Sequence, residues 1–344
     1  MTGSRVLVVS SYPPRHCGIG AYAAAQVQRL RDAGDRVLVL SPPDGGGDLR
    51  VPFVGGAALR RATAIGGRFD RIIVHYETGL WFRPRSPLSH VLTAASLLWL
   101  AIRRPQLEIV IHEARTPPSL LRPDYALLRL AFARAALRFH SHAERSAFEA
   151  AYRTPVRAEI IEHRDGVDVR ASMPRSQARV RLGLQSDGPL LVCAGFLQAD
   201  KGYDRAIRAF AAAGSHGRLT IVGSIRDATR ANVRYAADLH ALAARSENVS
   251  VLERFVDDAE FDAWIAAADV FVLPYRRAWS SGALARAQRL GTPAFVAEAG
   301  GLPEQAGERD RVFASDEELA DLMREAMRRL DREGAGDSSS GAER

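Results

Sequence analysis

The chain has 344 residues, of which 47% are hydrophobic, and its formal net charge is +7. This length and composition predict a globular protein of about two domains, and the two cysteines, Cys17 and Cys193, exclude a disulfide framework. The longest apolar stretch, residues 91–102, is shorter than the ~20 residues that a membrane-spanning helix needs. No secretory signal precedes the first apolar run at residue 5, so we expect a cytoplasmic location, with contact at the inner face of the membrane as an open alternative.

The positive charge is concentrated in the N-terminal half. Residues 1–170 contain 24 arginines and 15 acidic residues, whereas residues 171–344 contain 23 basic and 25 acidic residues. A basic half predicts an anionic partner, which can be a nucleic acid, a membrane surface or a phosphorylated small molecule. No RNP, zinc-finger or helix-turn-helix signature is present, so we expect no nucleic-acid partner.

Short apolar runs alternate with longer helical patterns along the chain, and near-continuous apolar runs are typical of parallel strands covered on both faces. The predicted strands are RVLVVS (5–10), RVLVL (36–40), RIIVH (71–75), LEIVIH (107–112), PLLVCAG (189–195), RLTIVG (218–223), VSVLE (249–253), DVFVLP (269–274) and PAFVAE (293–298). The alternation predicts an α/β protein with two doubly wound Rossmann-like domains, residues 1–172 and 173–331. The polar tail, residues 332–344, is predicted to be disordered.

The loop after the first strand contains a glycine pair. Gly18 and Gly20 stand at the start of a predicted helix within residues 10–23, where glycine lets a ligand approach the backbone and the helix N-terminus favours an anion. A turn that needs only a positive φ is the simpler interpretation. A nicotinamide-binding turn ending at Ala23 is a further alternative, but residues 41–43 read SPP where such a site needs an acidic residue.

Two single residues follow predicted strands. His112 ends the strand at 107–112, a position suited to acid–base chemistry or to a hydrogen bond with a polar ligand; a histidine satisfied within the core is equally compatible with the pattern. Lys201 is the chain's one lysine, among 47 basic residues, and it follows the strand at 189–195. Its compact ammonium suits a phosphate ligand, and a surface lysine retained by chance is the alternative.

The stretch at 273–307 adds two further turns. Ser280, Ser281 and Gly282 open a helix after a strand, and Gly300 and Gly301 follow the next strand. Backbone N–H groups at helix N-termini bind anions. Together with Lys201, these loops predict a site for a diphosphate.

With these motifs in place, the sequence resembles the group 1 (family 4) retaining glycosyltransferases of GT-B architecture. The motifs that carry the resemblance are YPPRHCGIGAY (12–22), IHEA (111–114), DGVDV (165–169), KGYDRAIRAF (201–210), FVDDAEFDAWIAAADVFVLPY (255–275), SSG (280–282) and GTPAFVAEAGGLPE (291–304). The resemblance implies two Rossmann-like domains facing a central cleft, an N-terminal acceptor domain and a C-terminal domain for a nucleotide-sugar donor.

The family's functional residues carry over to matching positions of this sequence. The resemblance implies that Lys201 lies on the donor diphosphate and that His112 lies near the transferred sugar. It also implies a donor-binding role for a larger set. These residues are Gly18, Gly20, Ser280, Ser281, Gly282, Gly300, Gly301 and Glu304. No metal and no cofactor is expected, because the nucleotide-sugar is itself a substrate.

The sequence departs from the family at three positions. The family's pair of glutamates reads Ala278 and Arg286 here, and the arginine that accompanies the phosphate lysine is Phe196. Glu298 or Glu304 could compensate. We therefore predict a retaining hexosyltransferase acting on a glycan or lipid-linked acceptor, and keep as the alternative a catalytically degenerate nucleotide-sugar-binding partner of an active glycosyltransferase.

Residues 119–140 bear on the acceptor. This arginine-rich stretch is predicted to form a basic amphipathic helix, which could rest on an anionic membrane beside a lipid-linked acceptor. A helix packed within the domain, with arginines at its rim, is the alternative.

Overall fold

The chain forms two compact units, Met1–Val167 and Asp168–Arg344. In the computed structural model the described residues are 3–83, 86–113, 122–161, 173–184, 188–214, 217–226 and 228–340. The division lies close to the predicted boundary at 172/173. The DGVDV motif (165–169) falls outside the described residues.

The N-terminal unit is built on one parallel sheet of seven strands in the order β3-β2-β1-β4-β5-β6-β7. The strands are β1 Arg5–Val9, β2 Arg36–Ser41, β3 Leu49–Arg50, β4 Arg71–Tyr76, β5 Leu107–Ile111, β6 Ala136–Phe139 and β7 Arg157–Ile160. The helices are α1 Gly18–Asp32, α2 Ala57–Ile65, α3 Thr78–Trp81, α4 Pro87–Arg103, α5 Pro123–Phe132 and α6 His142–Tyr152.

The C-terminal unit has a second parallel sheet of six strands in the order β10-β9-β8-β11-β12-β13. The strands are β8 Leu190–Ala194, β9 Arg218–Gly223, β10 Val249–Glu253, β11 Val270–Leu273, β12 Ala294–Ala297 and β13 Arg311–Phe313. The helices are α7 Arg175–Arg181, α8 Tyr203–Ala213, α9 Arg230–Ala243, α10 Asp258–Ala267, α11 Gly282–Leu290, α12 Leu302–Gln305 and α13 Asp316–Ser340.

Both sheets confirm the predicted class, an α/β protein with two doubly wound Rossmann-like domains. Strands β1, β8 and β11 are buried almost throughout, as expected when helices cover both faces of a parallel sheet. The strand order reverses between β1 and β4 in the first sheet, and between β8 and β11 in the second. Ligands of such folds bind beyond the carboxyl ends of the strands at these reversal points.

The helix predicted for residues 119–140 is wrong. Within the described part, α5 ends at Phe132 and residues Ala136–Phe139 form strand β6. Arg138 lies in this strand, where its side chain pairs with Glu108 of β5 at 2.8 Å and with Glu159 of β7. Arg138, one of the arginines that suggested a helical face, therefore serves cross-strand ion pairs, which stabilise neighbouring strands.

The last helix extends into the predicted disordered tail. Helix α13 continues to Ser340, past the predicted tail start at residue 332, since adding residues to an existing helix costs less than starting one. None of the helices in the described ranges combines the length and the hydropathy that crossing a bilayer requires.

Candidate functional site

Lys201 lies at the reversal point of the C-terminal sheet. It ends a single 3-10 turn, Ala199–Lys201, in the loop after β8. Its Nζ atom lies 3.9 Å from the centroid of the Tyr275 ring, and Tyr275 is buried in the loop after the neighbouring strand β11. The ammonium is half-buried and held against an aromatic face, a contact that stabilises a cation.

Gly202 fixes the position of this lysine. The residue has φ of +65°, and a Cβ atom there would lie 2.0 Å from the carbonyl oxygen of Pro274. Only glycine combines the left-handed conformation with such a close approach. The loop after β8 is therefore pressed directly onto the loop after β11.

An ion pair ties the same two loops together. Arg276, after β11, donates to both carboxylate oxygens of Asp204 at 2.7 Å, and its backbone N–H donates to the carbonyl of Asp200 at 2.8 Å. Burial raises the pKa of Asp204, but hydrogen bonds from Arg276 and Tyr235 lower it more, and the pKa is about 2. A bidentate arginine–carboxylate pair gives geometric specificity, so the backbone on both sides of Lys201 is held in place.

The guanidinium of Arg226 lies beside Phe196, which occupies the position of the family's arginine. The Cζ atom of Arg226, in the loop after β9, lies 5.7 Å from the centroid of the Phe196 ring. Strand β9 is the neighbour of β8, so Arg226 comes from the same edge of the sheet as Lys201. Sequence reasoning did not select this arginine.

The SSG motif opens helix α11 as predicted. Ser281 is buried and is the N-cap, its Oγ accepting from the backbone N–H of Leu284 at 3.2 Å. The side chain of Gln305 bonds both the N–H and the carbonyl of Ser281, at 2.8 and 2.7 Å. Ser280 and Gly282 are half-buried. The Ser281 oxygen thus serves the helix cap, while the first-turn N–H groups of α11 carry the partial positive charge of a helix start.

The glycine pair after β12 packs against the β11 loop. Gly300 has φ of +56°, and a Cβ atom there would lie 2.0 Å from the carbonyl oxygen of Ala278. Gly301 donates its N–H to the same carbonyl at 3.2 Å. Glu304 lies in the short helix α12 and is exposed, and Glu298 at the end of β12 is exposed too.

Arg286 has a structural role where the family has a glutamate. Its guanidinium pairs with Asp258 at 2.9 Å and with Asp262 at 2.7 Å. Both carboxylates belong to α10, so the side chain joins α11 to its neighbouring helix. The substitution replaces an acceptor group by a packed ion pair.

The two glycines of the N-terminal unit, Gly18 and Gly20, have different surroundings. Gly20 is buried, and a Cβ atom there would lie 3.3 Å from Ser11 Oγ, so glycine lets α1 approach the β1 loop. Gly18 is exposed at the first position of α1, and no atom lies within 4 Å of its would-be Cβ. Neither residue has a positive φ, so the interpretation as a positive-φ turn is wrong.

His112 belongs to a cluster of rings at the reversal point of the N-terminal sheet. The rings of His75, at β4, and His140, after β6, have centroids 5.2 and 5.4 Å from that of His112. Tyr22 of α1 contacts all three histidines edge-on, with centroid distances of 5.3 to 5.7 Å. The cluster joins the glycine helix to the ends of three strands.

The hydrogen bonds of the cluster fix the proton position on His75 and the direction of its bond with His112. His75 Nε2 lies 3.0 Å from the side-chain oxygen of Gln26, and His75 Nδ1 lies 2.9 Å from His112 Nε2. Burial, and the neighbouring His140, lower the pKa of His75 to about 3, so its ring is neutral and carries one proton. An amide oxygen can only accept, which puts that proton on Nε2. His112 therefore donates from Nε2 to His75.

A protonated carboxyl group lies next to this cluster. Glu144, in the first turn of α6, is fully buried, and its Oε2 accepts from the N–H of His140 at 3.0 Å. Burial raises the pKa of Glu144 to about 8, and burial lowers that of His140 to about 4. Both groups are therefore neutral near pH 7, so the end of β6 carries hydrogen-bonding groups without charge.

The residues that sequence reasoning missed share a signal. A histidine lies at or directly after the last residues of three neighbouring strands, at positions 75, 112 and 140, but only His112 was selected. The third was hidden because residues 136–139 were assigned to a helix. Within the described ranges, no group of three or more histidine, cysteine or acidic side chains has the geometry of a metal site.

The class of the C-terminal unit follows from a family comparison. Residues 188–330 match the family described as glycosyl transferases group 1. This match agrees with the resemblance predicted from the motifs, and Lys201, the SSG motif and the Gly300–Gly301 pair lie within the matched residues.

Individual proteins are similar to this chain in sequence or in structure. A D-inositol 3-phosphate glycosyltransferase of Xylanimonas cellulosilytica is 31% identical over 128 residues, which is 37% of this chain and 30% of that protein's length. The solved structure of HepE from Anabaena, in complex with UDP-glucose, is similar with a TM-score of 0.68 at 18% identity, covering 96% of this chain and 95% of HepE. Sucrose-phosphate synthase from Thermosynechococcus elongatus has a TM-score of 0.61 at 15% identity, covering 95% and 94%. These structural likenesses show that the fold is that of GT-B glycosyltransferases.

Proposed function

We propose that this protein transfers a hexose from a nucleotide-sugar donor to a glycan or lipid-linked acceptor, with retention of the anomeric configuration. The observation that carries the proposal is the position of Lys201. The chain's one lysine lies over Tyr275 at the reversal point of a group 1 glycosyltransferase domain. The complex of HepE with UDP-glucose makes a uridine diphosphate hexose the first donor to test.

The proposed chemistry is electrostatic. As the bond between the sugar and the diphosphate breaks, negative charge grows on the diphosphate. Lys201 and the first-turn N–H groups of α11 stabilise that charge, and losing one such group costs ~3 kcal/mol, or about 100-fold in rate. Arg226, beside Phe196, supplies a second cation in place of the family's arginine. No metal or other cofactor enters the proposal.

The N-terminal unit is proposed to bind the acceptor and to contact the donor sugar. His112 contacts a hydroxyl of the donor sugar, and His75 and Gln26 hold its ring in place through their hydrogen bonds. At Gly18 a donor phosphate can approach the backbone at the start of α1, because no atom of the described residues outside its own helical turn lies within 4 Å of its would-be Cβ. These roles are consistent with a site in which orientation, rather than a covalent nucleophile, governs the reaction.

The first experiment is a thermal-shift panel with UDP, GDP and ADP and their hexose conjugates, because a ligand that binds the folded state raises its melting temperature. Donor turnover is then compared for the wild type, Lys201→Ala and Arg277→Ala. Arg277 is an exposed cation of the adjacent loop, so it controls for the loss of one positive charge.

We expect a loss of about 100-fold for Lys201→Ala and less than about twofold for Arg277→Ala. Turnover of Lys201→Ala near that of the wild type would remove the basis of the mechanism. Anomeric configuration is read from the product by NMR, and an inverted product would contradict the retaining assignment.

A second candidate is a catalytically degenerate nucleotide-sugar-binding partner of an active glycosyltransferase. The ion pairs of Arg286 with α10 favour it, since they occupy the position of a family glutamate. This candidate predicts that a nucleoside diphosphate binds while neither donor hydrolysis nor transfer occurs, with every acceptor tested.

A further inference from the structure

Helix α4 has an exposed apolar stripe on one face. Four large apolar side chains of this helix are 45% to 71% exposed: Leu88, Leu92, Trp99 and Ile102. Their spacing, with exposed Ala95 between them, repeats every three or four residues and aligns them along one side of a helix. The opposite side of α4 is buried against the domain. The stripe therefore runs nearly the full length of a 17-residue helix.

The surface around the stripe is positively charged. Helix α2 and the turn after it carry Arg60, Arg61 and Arg68, and α4 ends in Arg103 followed by Arg104. Neither Ala57–Arg68 nor Pro87–Arg104 contains an acidic residue. Among the described residues, none of these five arginines forms a salt bridge.

Trp99 lies where the apolar stripe meets the arginines. The Arg103 guanidinium lies 4.9 Å from the centroid of the Trp99 ring, and both side chains line one surface recess with Arg60 and Arg104. Tryptophan beside arginine, next to exposed leucine and isoleucine, is the composition of helices that lie at the boundary between lipid headgroups and acyl chains.

We propose that this face, formed by the exposed side of α4 and the arginines of α2, rests on an anionic lipid membrane. The four apolar side chains enter the headgroup region and the arginines pair with lipid phosphates. This surface replaces the membrane contact predicted for residues 119–140, whose helix ends at Phe132. The inference does not depend on the proposed sugar transfer.

The test is co-sedimentation of the whole protein with vesicles of equal parts phosphatidylcholine and phosphatidylglycerol, compared with pure phosphatidylcholine vesicles. We expect binding to the anionic vesicles that weakens as salt is raised. The double variant Leu88→Ser/Trp99→Ser should bind at least about tenfold more weakly, because insertion of these side chains provides the apolar part of the affinity. Replacing Arg61 and Arg103 by glutamine should each weaken binding about fivefold, equivalent to about 1 kcal/mol per cation.

Val180→Ser is the matched control. Among the residues that the structure describes, Val180 is the most exposed large apolar one, at 79%, and it lies on α7 of the other unit, so this variant should bind vesicles as the wild type does. Circular dichroism and urea unfolding check that every variant folds. Three results would overturn the proposal: no binding to anionic vesicles, equal loss in Val180→Ser, or self-association in solution that Leu88→Ser/Trp99→Ser abolishes, which would assign the stripe to a second copy of the chain.

Discussion

Two glycines at opposite ends of helix α8 provide a direct test of how Lys201 is held. Gly202 precedes the helix with φ of +65°, and Gly214 follows it with φ of +60°. Each residue changed to alanine incurs a similar cost for the left-handed conformation, ~1 kcal/mol. The two sites differ in space, because Pro274 O lies 2.0 Å from the would-be Cβ at Gly202, whereas no atom lies within 4 Å at Gly214.

The expected magnitudes follow from this difference. An ordinary contact with a Cβ atom needs about 3.4 Å or more, so Gly202→Ala must move the β11 loop by more than an ångström. That displacement strains the bonds of Arg276 to Asp200 and Asp204. Overpacking of this kind costs about 1–3 kcal/mol. We therefore expect a destabilisation of about 1 kcal/mol for Gly214→Ala and about 3 kcal/mol for Gly202→Ala.

Urea unfolding measures the two free energies, and titration with UDP measures whether Lys201 is still in place. Only Gly202→Ala should weaken nucleotide binding, because only that variant displaces the lysine loop. Equal destabilisation in the two variants, with equal nucleotide affinity, would refute the idea that contact with Pro274 fixes the loop.

The remaining predictions concern the buried polar groups. Arg276→Gln should lower the free energy of unfolding by about 1–2 kcal/mol at pH 7, because lowering the Asp204 pKa from 3.8 to about 2 in the folded protein corresponds to up to ~2 kcal/mol of stability. This stability is present above pH ~4 and is lost as the pH falls through 2. The unfolding free energies of wild type and variant, measured with urea, should therefore converge at low pH, and a difference that does not shrink would contradict the prediction. Glu144→Gln should gain stability relative to the wild type as the pH rises from about 4.5 toward 8, by about 4 kcal/mol at pH 8, since in this range the unfolded wild type releases the Glu144 proton whereas the folded protein, with its raised pKa, keeps it; parallel stability–pH curves would argue against a buried protonated carboxyl. Gln26→Leu should allow both neutral tautomers of His75, seen as an averaged ring-nitrogen shift by NMR, and should lower donor turnover about tenfold. Gln28→Leu, an exposed control on the same helix, should leave the His75 spectrum and the turnover unchanged. An unaltered His75 spectrum in Gln26→Leu would show that the amide does not set the tautomer.

The sequence correctly predicted the strands that can be recognised from the residues of one short segment. Strand 218–223 was found at its observed bounds because a buried parallel strand is a nearly continuous apolar run, and strand 249–253, at the edge of its sheet, was found from its alternating valines. Strands β6 and β7 were missed, since their Arg138 and Glu159 alternate with apolar residues and become interpretable only when the strands lie side by side. Such cross-strand pairing is not visible in a single segment.

In the candidate site, too, residues whose roles depend on contacts distant in the chain could not be found from the sequence. Lys201 and the SSG motif stand out in the sequence by rarity and by position, whereas Arg276, Asp204 and Arg226 look like ordinary surface charges. Their roles depend on contacts between loops that are 72 residues apart in the chain, as in the Arg276–Asp204 pair. The histidine cluster likewise joins residues from three strands and a helix.

The bond between Arg276 and Asp204 has a consequence for engineering the protein. Because it joins the loop after β11 to the first turn of helix α8, the segment after β11 cannot be exchanged for that of a relative as an independent module. A graft that omits the arginine would also displace the loop that carries Lys201, so under the proposed function a change in donor preference could not be separated from weaker binding of the donor. Grafts that carry the arginine and the aspartate together should preserve turnover while the rest of the segment varies.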